Sequence, residues 1–440
     1  MINNSLKTII LAAGESKRIL SSESKILQTI GGKTILEHVL DNMGKIISKK
    51  NMNIVISPKL NKLRNEYKKI NFSFQKKPLG TAHAVLSSKK FYSKTKEDIL
   101  ILYADNPFID EKIIKSMIAS KKKKNSDIVL LAVNKNKKNE YGRIILNDED
   151  KVKKIVEFKD ATIDQKKISL CNSGIMLLKS EVLRELITKV KSKNKKKEYY
   201  LTDIIELANR NNLKVDYVEG NFLKTLGINT KHELAIAEEY FQNTLRKKFI
   251  SSGVKLLDPK SIFFNYDTKI GKDVIIEPNV FFGTNVIIKD NVHIKAFSHI
   301  EGVKILNNAT IGPFARLRPG TTIGPNSHIG NFVEIKKTHI KKDSKVNHLS
   351  YIGDSNIGEK VNIGAGVITC NYDGLKKNKT KIEDNVFVGS NVSLVAPIRL
   401  SKSSIVGAGS VITKSVKKNA LALERNEQKI FPNYKKNRKK

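Results

Sequence analysis

Three residues near the start of the chain have the properties that a phosphate-binding site requires. Gly14 follows an apolar run, and Arg18 and Lys25 come shortly after it. A glycine lets backbone N–H groups approach a phosphate closely, and the two cations can neutralise its charge. The same residues also fit an ordinary turn between a strand and a helix, so this segment alone leaves both interpretations open.

A carboxylate further along the chain is suited to a divalent cation. Asp105 follows the apolar run Ile99–Tyr103, which predicts a buried strand. Ligands bind at the carboxyl ends of the strands in such sheets, and Mg²⁺ prefers oxygen donors. A carboxylate at a strand end can instead accept hydrogen bonds from loops, so Asp105 alone does not decide between these roles.

These residues require a sheet whose strand ends meet at one edge. Apolar runs alternate with helical patterns up to about Lys224, which predicts a doubly wound α/β domain with a mainly parallel, Rossmann-like sheet. Thr230 and Glu233 form a capping box that begins a further helix. We expect the α/β domain over residues 1–229 and a linker helix over 230–250. The predicted elements are strands Thr8–Ala12, Ile54–Ser57, Ile99–Tyr103 and Ile128–Val133, and helices Ile35–Ile47 and Ile113–Ala119.

A six-residue period after Ser261 indicates a different architecture. A chain that winds around a three-sided prism places one apolar residue per side in its core. We expect a left-handed parallel β-helix over residues 251–440, with a loop at Thr369–Lys381 where the period breaks. Small or β-branched residues recur four places after the apolar ones, as at Ala315, Thr321, Ser327 and Val333. The in-phase apolar residues are Ile270, Ile276, Phe282, Ile288, Ile294, Ile300, Leu306, Ile311, Leu317, Ile323, Ile329, Ile335, Ile382, Val388, Leu394, Leu400, Val406 and Ile412.

The composition limits the class of protein. The chain has 440 residues, enough for two domains, and a formal net charge of +38. That charge fits either phosphate contacts with nucleic acid or lysines on solvated faces, and the lysine runs do not interleave with aromatic residues. The 2 cysteines, Cys171 and Cys370, favour a reducing compartment. We expect a cytoplasmic enzyme without a membrane span or a specific nucleic-acid partner.

The order of the motifs in the first half resembles the sugar-nucleotide pyrophosphorylases, in particular the bacterial bifunctional N-acetylglucosamine-1-phosphate uridylyltransferases. The matching segments are 11–18, Leu79–Ala84, Tyr103–Pro107, Tyr141–Ile144, Ile155–Glu157, Asn172–Gly174, Glu198–Asp203 and Leu226–Asn229. The chain departs from the pattern of this family at Ser16, Lys17, Ile19, Ser24 and Ala104.

The resemblance implies a nucleotidyl transfer. The phosphate of GlcNAc-1-phosphate would attack the α-phosphorus of UTP in line, and pyrophosphate would leave. Arg18 and Lys25 would be catalytic, and Asp105 and Asn229 would bind Mg²⁺. The residues implied in binding UTP and UDP-GlcNAc are Leu11, Ala12, Ala13, Gly14, Lys25, Gln75, Gly80, Thr81, Tyr103, Ala104, Asp105, Gly142, Glu157, Asn172 and Asn229.

The second half resembles the acetyltransferase half of the same bifunctional proteins, over Ile311–Gly320, Gly330–Lys337, His348–Asp354, Asn362–Gly366 and Thr369–Gly374. By this resemblance His348 is the base that deprotonates the amine of glucosamine-1-phosphate before it attacks acetyl-CoA. The residues implied in binding the sugar phosphate are Arg318, Lys336, Tyr351 and Asn362. Those implied in binding acetyl-CoA are Ala365, Asn371, Tyr372, Ser390, Ala408 and Arg425.

The resemblance also implies a homotrimer, because the family forms its acetyl-CoA site between neighbouring subunits. Acetyl transfer would come first and uridylyl transfer second. Two alternatives stay open, namely a nucleotidyltransferase with a structural or regulatory β-helix, and a nucleic-acid-binding scaffold. Cys370 adjoins Asn371, so we expect that its alkylation blocks only acetyl transfer.

Overall fold

The computed structural model describes residues 5–14, 17–135, 139–432 and 434. The chain divides into two compact units, Met1–Tyr240 and Phe241–Lys440. Ser16, where the sequence departs from the family pattern, lies outside the described residues. Within the described part, no helix is both long enough and apolar enough to cross a membrane.

A nine-stranded mixed sheet lies at the centre of the described part of the first unit. The strands of this unit, with a separate β2–β3 hairpin, are β1 (Leu6–Ala12), β2 (Thr29–Ile30), β3 (Lys33–Thr34), β4 (Met52–Ile56), β5 (Asn71–Phe74), β6 (Asp98–Tyr103), β7 (Ile128–Asn134), β8 (Arg143–Leu146), β9 (Val152–Val156), β10 (Leu170–Leu178) and β11 (Val215–Gly220). The main order is β11-β7-β10-β6-β1-β4-β5, and β8 and β9 extend the sheet from β10. The predicted strands all form, with ends within two residues of the predicted ones.

Helices connect the strands of the first unit, and the last helix extends across the boundary between the two units. They are α1 (Ile35–Gly44), α2 (Leu63–Glu66), α3 (Thr81–Ser87), α4 (Lys89–Tyr92), α5 (Glu111–Lys124), α6 (Ile163–Lys167), α7 (Ser180–Leu186), α8 (Asp203–Arg210) and α9 (Lys231–Ser251). Single 3-10 turns occur at Lys17–Ile19, Lys25–Leu27, Lys49–Asn51, Pro58–Leu60, Ile187–Lys189, Leu223–Thr225 and Pro259–Ser261. The capping box predicted at Thr230 and Glu233 is present at the start of α9. Helix α1 ends at Gly44 rather than at Ile47, because Ile46 and Ile47 both turn back to bond the Met43 carbonyl.

The strand directions bring several strand ends to one edge. β1 is parallel to β4 and β6, and β10 is antiparallel to both β6 and β7. β6 and β7 therefore run in the same direction, so the carboxyl ends of β1, β6 and β7 lie at the same edge of the sheet. Alternating residues such as Ile9 and Ile10 enter separate apolar clusters on the two faces, which is the doubly wound arrangement that the sequence predicts.

The second unit is a three-sided parallel β-helix made of three stacks of short strands. The first stack contains Lys255–Leu256, Ile275–Ile276, His293–Ile294, Thr310–Ile311, His328–Asn331, Lys345–His348, Asn362–Ile363, Phe387–Val388, Ile405–Val406 and Leu421–Ala422. The second contains Lys269–Ile270, Ile287–Ile288, Val303–Ile305, Thr321–Ile323, His339–Ile340, Ser355–Ile357, Thr380–Ile382 and Ile398–Leu400. The third contains Phe281–Phe282, His299–Ile300, Arg316–Leu317, Glu334–Lys336, Tyr351–Gly353, Ile368–Cys370, Ser393–Val395 and Val411–Ile412.

The six-residue period predicts the core of the prism well. The in-phase residues from Ile276 to Ile300, from Ile311 to Ile335 and from Ile382 to Ile412 are buried. The small residues four places later, such as Ala315, are buried too. Leu306 was assigned wrongly, because the coil is one residue shorter there and Ile305 enters the core in its place, paired with Ile288. The predicted loop leaves the coil after Cys370 and returns at Thr380.

Candidate active sites

The predicted nucleotide and sugar residues line one cleft of about 1090 Å³ in the first unit. It lies where the carboxyl ends of the strands meet, which is the usual ligand position on such sheets. Ala104 is the exception, because its side chain is fully buried behind the wall of the cleft. The predicted residues that line the cleft are Leu11, Ala12, Ala13, Gly14, Arg18, Lys25, Gln75, Gly80, Thr81, Tyr103, Asp105, Gly142, Glu157, Asn172 and Asn229.

Lys25 joins the two predicted magnesium ligands. Its ammonium forms an ion pair with Asp105 Oδ2 and donates a hydrogen bond to Asn229 Oδ1 at 2.9 Å. The carboxylate of Glu233 accepts hydrogen bonds from the backbone N–H groups of Asn229 and Thr230, which stabilises the turn that contains Asn229. The carboxylate and the amide oxygen therefore converge on a single position where they already hold one cation.

Arg18 lies further out in the same cleft. Its guanidinium donates a hydrogen bond to Glu140 Oε2 at 3.0 Å, and both side chains are more than half exposed. Exposed pairs of this kind contribute little to stability, so a phosphate can replace the carboxylate at small cost. Glu140 was not predicted from the sequence, since it is 122 residues away from its partner along the chain.

The segments expected around the base of the nucleotide are held together by backbone contacts. Gly80 has φ +111°, and a Cβ atom added there would stand 2.5 Å from the carbonyl oxygen of Tyr199. Gln75 donates to the Gly80 carbonyl at 3.0 Å and lies 3.1 Å from His83 Nδ1. Since these contacts engage its amide nitrogen, the carbonyl oxygen of Gln75 is the group left to accept a hydrogen bond from a base.

The predicted sugar-binding residues enclose a buried carboxyl group. Glu157 Oε1 accepts a hydrogen bond from Thr202 Oγ1 at 3.1 Å, and burial raises the pKa of Glu157. Asn172 donates its backbone N–H to the Gly142 carbonyl at 2.8 Å, which joins β10 to the loop before β8. The Tyr103 ring packs against Gly174, where a Cβ would stand 2.4 Å from the ring. These neighbours leave little freedom in the wall that would contact the sugar.

The predicted base of the second site lies on the outside of the prism. His348 is exposed at the end of a first-stack strand, and its Nδ1 lies 2.7 Å from Asn331 Oδ1 on the preceding coil. An amide oxygen accepts, so Nδ1 is the protonated nitrogen and Nε2 keeps a free lone pair. Asn331 was not selected from its matching segment, because only coil stacking brings it to His348.

The predicted phosphate-binding cations Arg318 and Lys336 lie close to a third cation, Lys377. Arg318 pairs with Glu334 at 2.7 Å, and Lys336 lies on the next coil of the same stack. The pKa of Lys336 is lowered, mainly by the nearby ammonium of Lys377, which belongs to the 371–379 loop. Burial and the charge of Arg318 lower it further. A cluster of positive charges of this kind favours the binding of an anion. Glu334 and Lys377 were both missed, although the lysines of the loop were visible in the sequence.

Most of the predicted acetyl-CoA residues form a column along one corner of the prism. The pairings that extend the first stack place Ala365, Ser390 and Ala408 on successive coils. Arg425 joins this column by donating to the Ala408 carbonyl at 3.2 Å. Of the others, Asn371 lies beside the Tyr351 hydroxyl, and both would be within 3 Å of a Cβ at Gly353.

Two other predicted residues stand apart from these clusters. Tyr372 is 61% exposed on the loop and donates to the Gly374 carbonyl. Asn362 lies on the same coil as Ala365, three residues before it, in the stack that contains His348. The ligand contacts of the predicted residues stay predictions.

Family models match both units. The nucleotidyl transferase model matches residues 7–227. The bacterial transferase hexapeptide model, the model of the GMPPB C-terminal domain and the hexapeptide repeat of succinyl-transferase match residues 267–302, 299–373 and 379–414. A nucleotidyl transferase sheet followed by a left-handed hexapeptide β-helix defines the class as a two-domain transferase.

Curated relatives match the chain over nearly its whole length. The bifunctional protein GlmU of Paramagnetospirillum magneticum is 42% identical over 97% of this chain and 95% of its own. The same protein of Zymomonas mobilis is 42% identical over 96% and 94%, and that of Buchnera aphidicola is 42% identical over 100% and 99%. The chain belongs to the GlmU family of bifunctional transferases.

Proposed function

We propose that the chain makes UDP-GlcNAc in two steps, each in one unit. The second unit would acetylate glucosamine-1-phosphate with acetyl-CoA, and the first would transfer UMP from UTP to the resulting GlcNAc-1-phosphate. Residues 1–229 would form the uridylyltransferase, 230–250 a linker helix and 251–440 the acetyltransferase. The main support is that Lys25, Asp105 and Asn229 meet at the sheet edge while His348 lies beside Asn331 on the β-helix.

In the first step of this proposal, the chain handles an amine and a thioester. His348 Nε2 takes a proton from the amine of glucosamine-1-phosphate, and the amine nitrogen attacks the thioester carbonyl carbon. The carbon–sulfur bond breaks and coenzyme A leaves as the thiolate, which takes up a proton. Arg318 and Lys336, with Lys377 beside them, would hold the sugar phosphate. Tyr351 and Asn362 would complete the sugar pocket.

In the second step two anions must approach each other. Lys25 would neutralise charge between the phosphates, and Arg18 would exchange Glu140 for a phosphate of UTP. No side chain serves as a nucleophile, because the attacking atom is a phosphate oxygen of the substrate. The chain therefore contributes alignment and countercharge.

The residues present fit a magnesium ion. Asp105 and Asn229 already converge on one cation, and both are hard oxygen donors. Among the described residues there is no cluster of three or more His, Cys, Asp or Glu that could hold a metal. Phosphate and water oxygens would have to supply the remaining ligands, which is usual for Mg²⁺ at phosphate sites. When bound, the ion would neutralise charge on the phosphates.

The proposal includes a homotrimer, supported by an exposed apolar ladder on the β-helix. Phe297, Phe314 and Phe332 stack with ring centroids 4.9 and 5.1 Å apart, and Leu349 follows on the next coil. All four are at least 45% exposed, and Leu349 adjoins His348. A second copy of the chain would cover the ladder and bring its own residues to the acetyl-CoA column. Sedimentation should show that Phe314→Glu converts trimers to monomers without acetyltransferase activity.

A cytoplasmic location belongs to the same proposal, since both cysteines are free thiols. The decisive experiment is an assay with glucosamine-1-phosphate, acetyl-CoA, UTP and Mg²⁺, with one component omitted at a time. Omitting UTP should leave GlcNAc-1-phosphate as product, and omitting acetyl-CoA should leave no product. Uridylyl transfer from supplied GlcNAc-1-phosphate without any acetyl transfer would instead mean that the β-helix is structural or regulatory.

A further inference from the structure

Lys135 is a cation at the nucleotidyl site that the family motifs do not include. It follows β7 directly, and β7 runs in the same direction as β6, which leads to Asp105. Its side chain lines the same cleft as Lys25 and Asn229. The fold therefore brings a further positive charge to the edge where the phosphates would react.

Two aromatic rings hold the ammonium group. It lies 4.1 Å from the ring centroid of Phe222 and 5.3 Å from that of Tyr141, and these rings meet edge to face. Within the described part of the chain, no carboxylate or hydrogen-bond acceptor pairs with it. Ring faces attract a cation but supply no oxygen or nitrogen acceptor, so the ammonium can still donate hydrogen bonds to a ligand.

The surroundings join this ammonium to the turn that carries Asn229. The Tyr141 hydroxyl accepts a hydrogen bond from the Gly227 backbone N–H at 3.3 Å. Glu233, which stabilises the Asn229 turn, is the charge that attracts this ammonium most strongly, while Arg143 repels it. Burial is the main reason why the pKa of Lys135 is lowered. An anion bound beside it would stabilise the charged form and offset that penalty.

We propose that Lys135 binds the phosphate of the acceptor sugar phosphate, a proposal that rests on the uridylyl transfer proposed above. The two substrates need countercharge on opposite sides of the reacting phosphorus. Arg18 lies just after the opening loop, where the nucleotide phosphates would bind. Lys135 instead adjoins Tyr141, whose neighbour Gly142 belongs to the sugar-binding wall. Lys135 is therefore assigned to the acceptor and not to UTP.

The test measures uridylyl transfer by Lys135→Met, Lys135→Arg and the full-length wild type. The methionine keeps most of the length of the side chain and can still pack against the rings, but it has no charge. We expect the KM for GlcNAc-1-phosphate to rise about tenfold or more in Lys135→Met, with the KM for UTP within about twofold of wild type. Lys135→Arg should recover most of the affinity. Lys214→Met, which removes an exposed lysine of the same unit, should behave as wild type.

The pH dependence separates a ligand contact from a structural role. Because the pKa of Lys135 is lowered, the wild type should lose affinity for GlcNAc-1-phosphate at a lower pH than an ordinary lysine would allow. Lys135→Arg should remove this loss. An unchanged KM for GlcNAc-1-phosphate in Lys135→Met, or an equal rise in the KM for UTP, would overturn the assignment. A wild type that forms no UDP-GlcNAc would refute the proposed function itself.

Discussion

Asp105 and His348 occupy opposite kinds of surface. Asp105 is 8% exposed at the bottom of a cleft, with Lys25 and Asn229 around it. His348 is exposed on the outer face of a prism, and its neighbour Leu349 is 60% exposed. The first site is therefore a cleft within one unit of one chain, whereas the second lies on a convex surface that carries a column of small residues.

The difference follows from the two architectures. Strands of unequal length end in loops, and loops at one sheet edge can surround a cavity. A β-helix has regular corners, so its side chains form a convex surface with little depth of its own. A site on such a surface needs a second surface to exclude water, which is a physical reason for the proposed trimer. If the two sites are independent, a substitution in one should leave the activity of the other unchanged.

The largest expected effect is the loss of acetyl transfer in His348→Ala. The free Nε2 of His348 is the base in the proposed mechanism, so the rate should fall about 1000-fold. A discontinuous assay of GlcNAc-1-phosphate formation measures it. Uridylyl transfer from supplied GlcNAc-1-phosphate is the internal control and should stay at the wild-type rate. A parallel loss of both activities would contradict the independence of the two sites.

Asp105→Asn should produce the reciprocal result. The substitution keeps the shape of the side chain but removes the charge that pairs with Lys25. We expect uridylyl transfer to fall about 100-fold or more, since positioned charge is a main source of rate at such sites. Pyrophosphate release reports the loss, and titration with Mg²⁺ should show a weaker dependence. Acetyl transfer should be unaffected, and if it also declined the variant would have lost more than a ligand.

Alkylation of Cys370 should lower acetyltransferase activity at least about tenfold and leave uridylyl transfer unchanged. The thiolate is the reactive form, and burial raises the pKa of Cys171, so Cys171 should stay unmodified under native conditions. Cys370 is half-buried beside Asn371 in the predicted acetyl-CoA site. Iodoacetamide followed by mass spectrometry and both assays tests this, with Cys370→Ser as the resistant control. Full acetyltransferase activity after complete modification would refute the prediction.

Substitutions of two glycines in the first site, Gly80 and Gly14, should distinguish an effect on stability from an effect on UTP binding. A Cβ at Gly80 would collide with Tyr199, so Gly80→Ala should destabilise the unit by about 2 kcal/mol. A Cβ at Gly14 would have no described protein atom within 4 Å apart from its chain neighbours. Gly14→Ala should therefore keep the melting temperature and instead raise the KM for UTP several-fold. Calorimetry with both variants decides, and a stability loss in Gly14→Ala would remove the argument for a phosphate loop.

Regular repeats made the β-helix easy to predict, whereas contacts between distant segments made both sites harder. The period identified core residues such as Ile311, because each one occupies an equivalent position on a coil. Leu306 was wrong because a shortened coil leaves the apolar pattern ambiguous by one residue. Lys135 could not be selected, since its setting depends on Tyr141 and Phe222, which are far apart in sequence and meet only in the folded unit.

The smallest expected effect concerns the cations Arg318, Lys336 and Lys377 at the acetyltransferase site of the β-helix. Lys377 is the main reason that the pKa of Lys336 is lowered, so Lys336 loses its charge at a lower pH than an ordinary lysine. The KM for glucosamine-1-phosphate should therefore rise on the alkaline side. In Lys377→Met the pKa of Lys336 returns upward and this rise should move to higher pH, even though one cation fewer faces the phosphate. Uridylyl transfer is the control, because its pH profile should be the same in the wild type and in Lys377→Met. If the alkaline rise stayed at the same pH in Lys377→Met, Lys377 would not be the cause of the lowered pKa of Lys336, and the two lysines would not form one charge cluster.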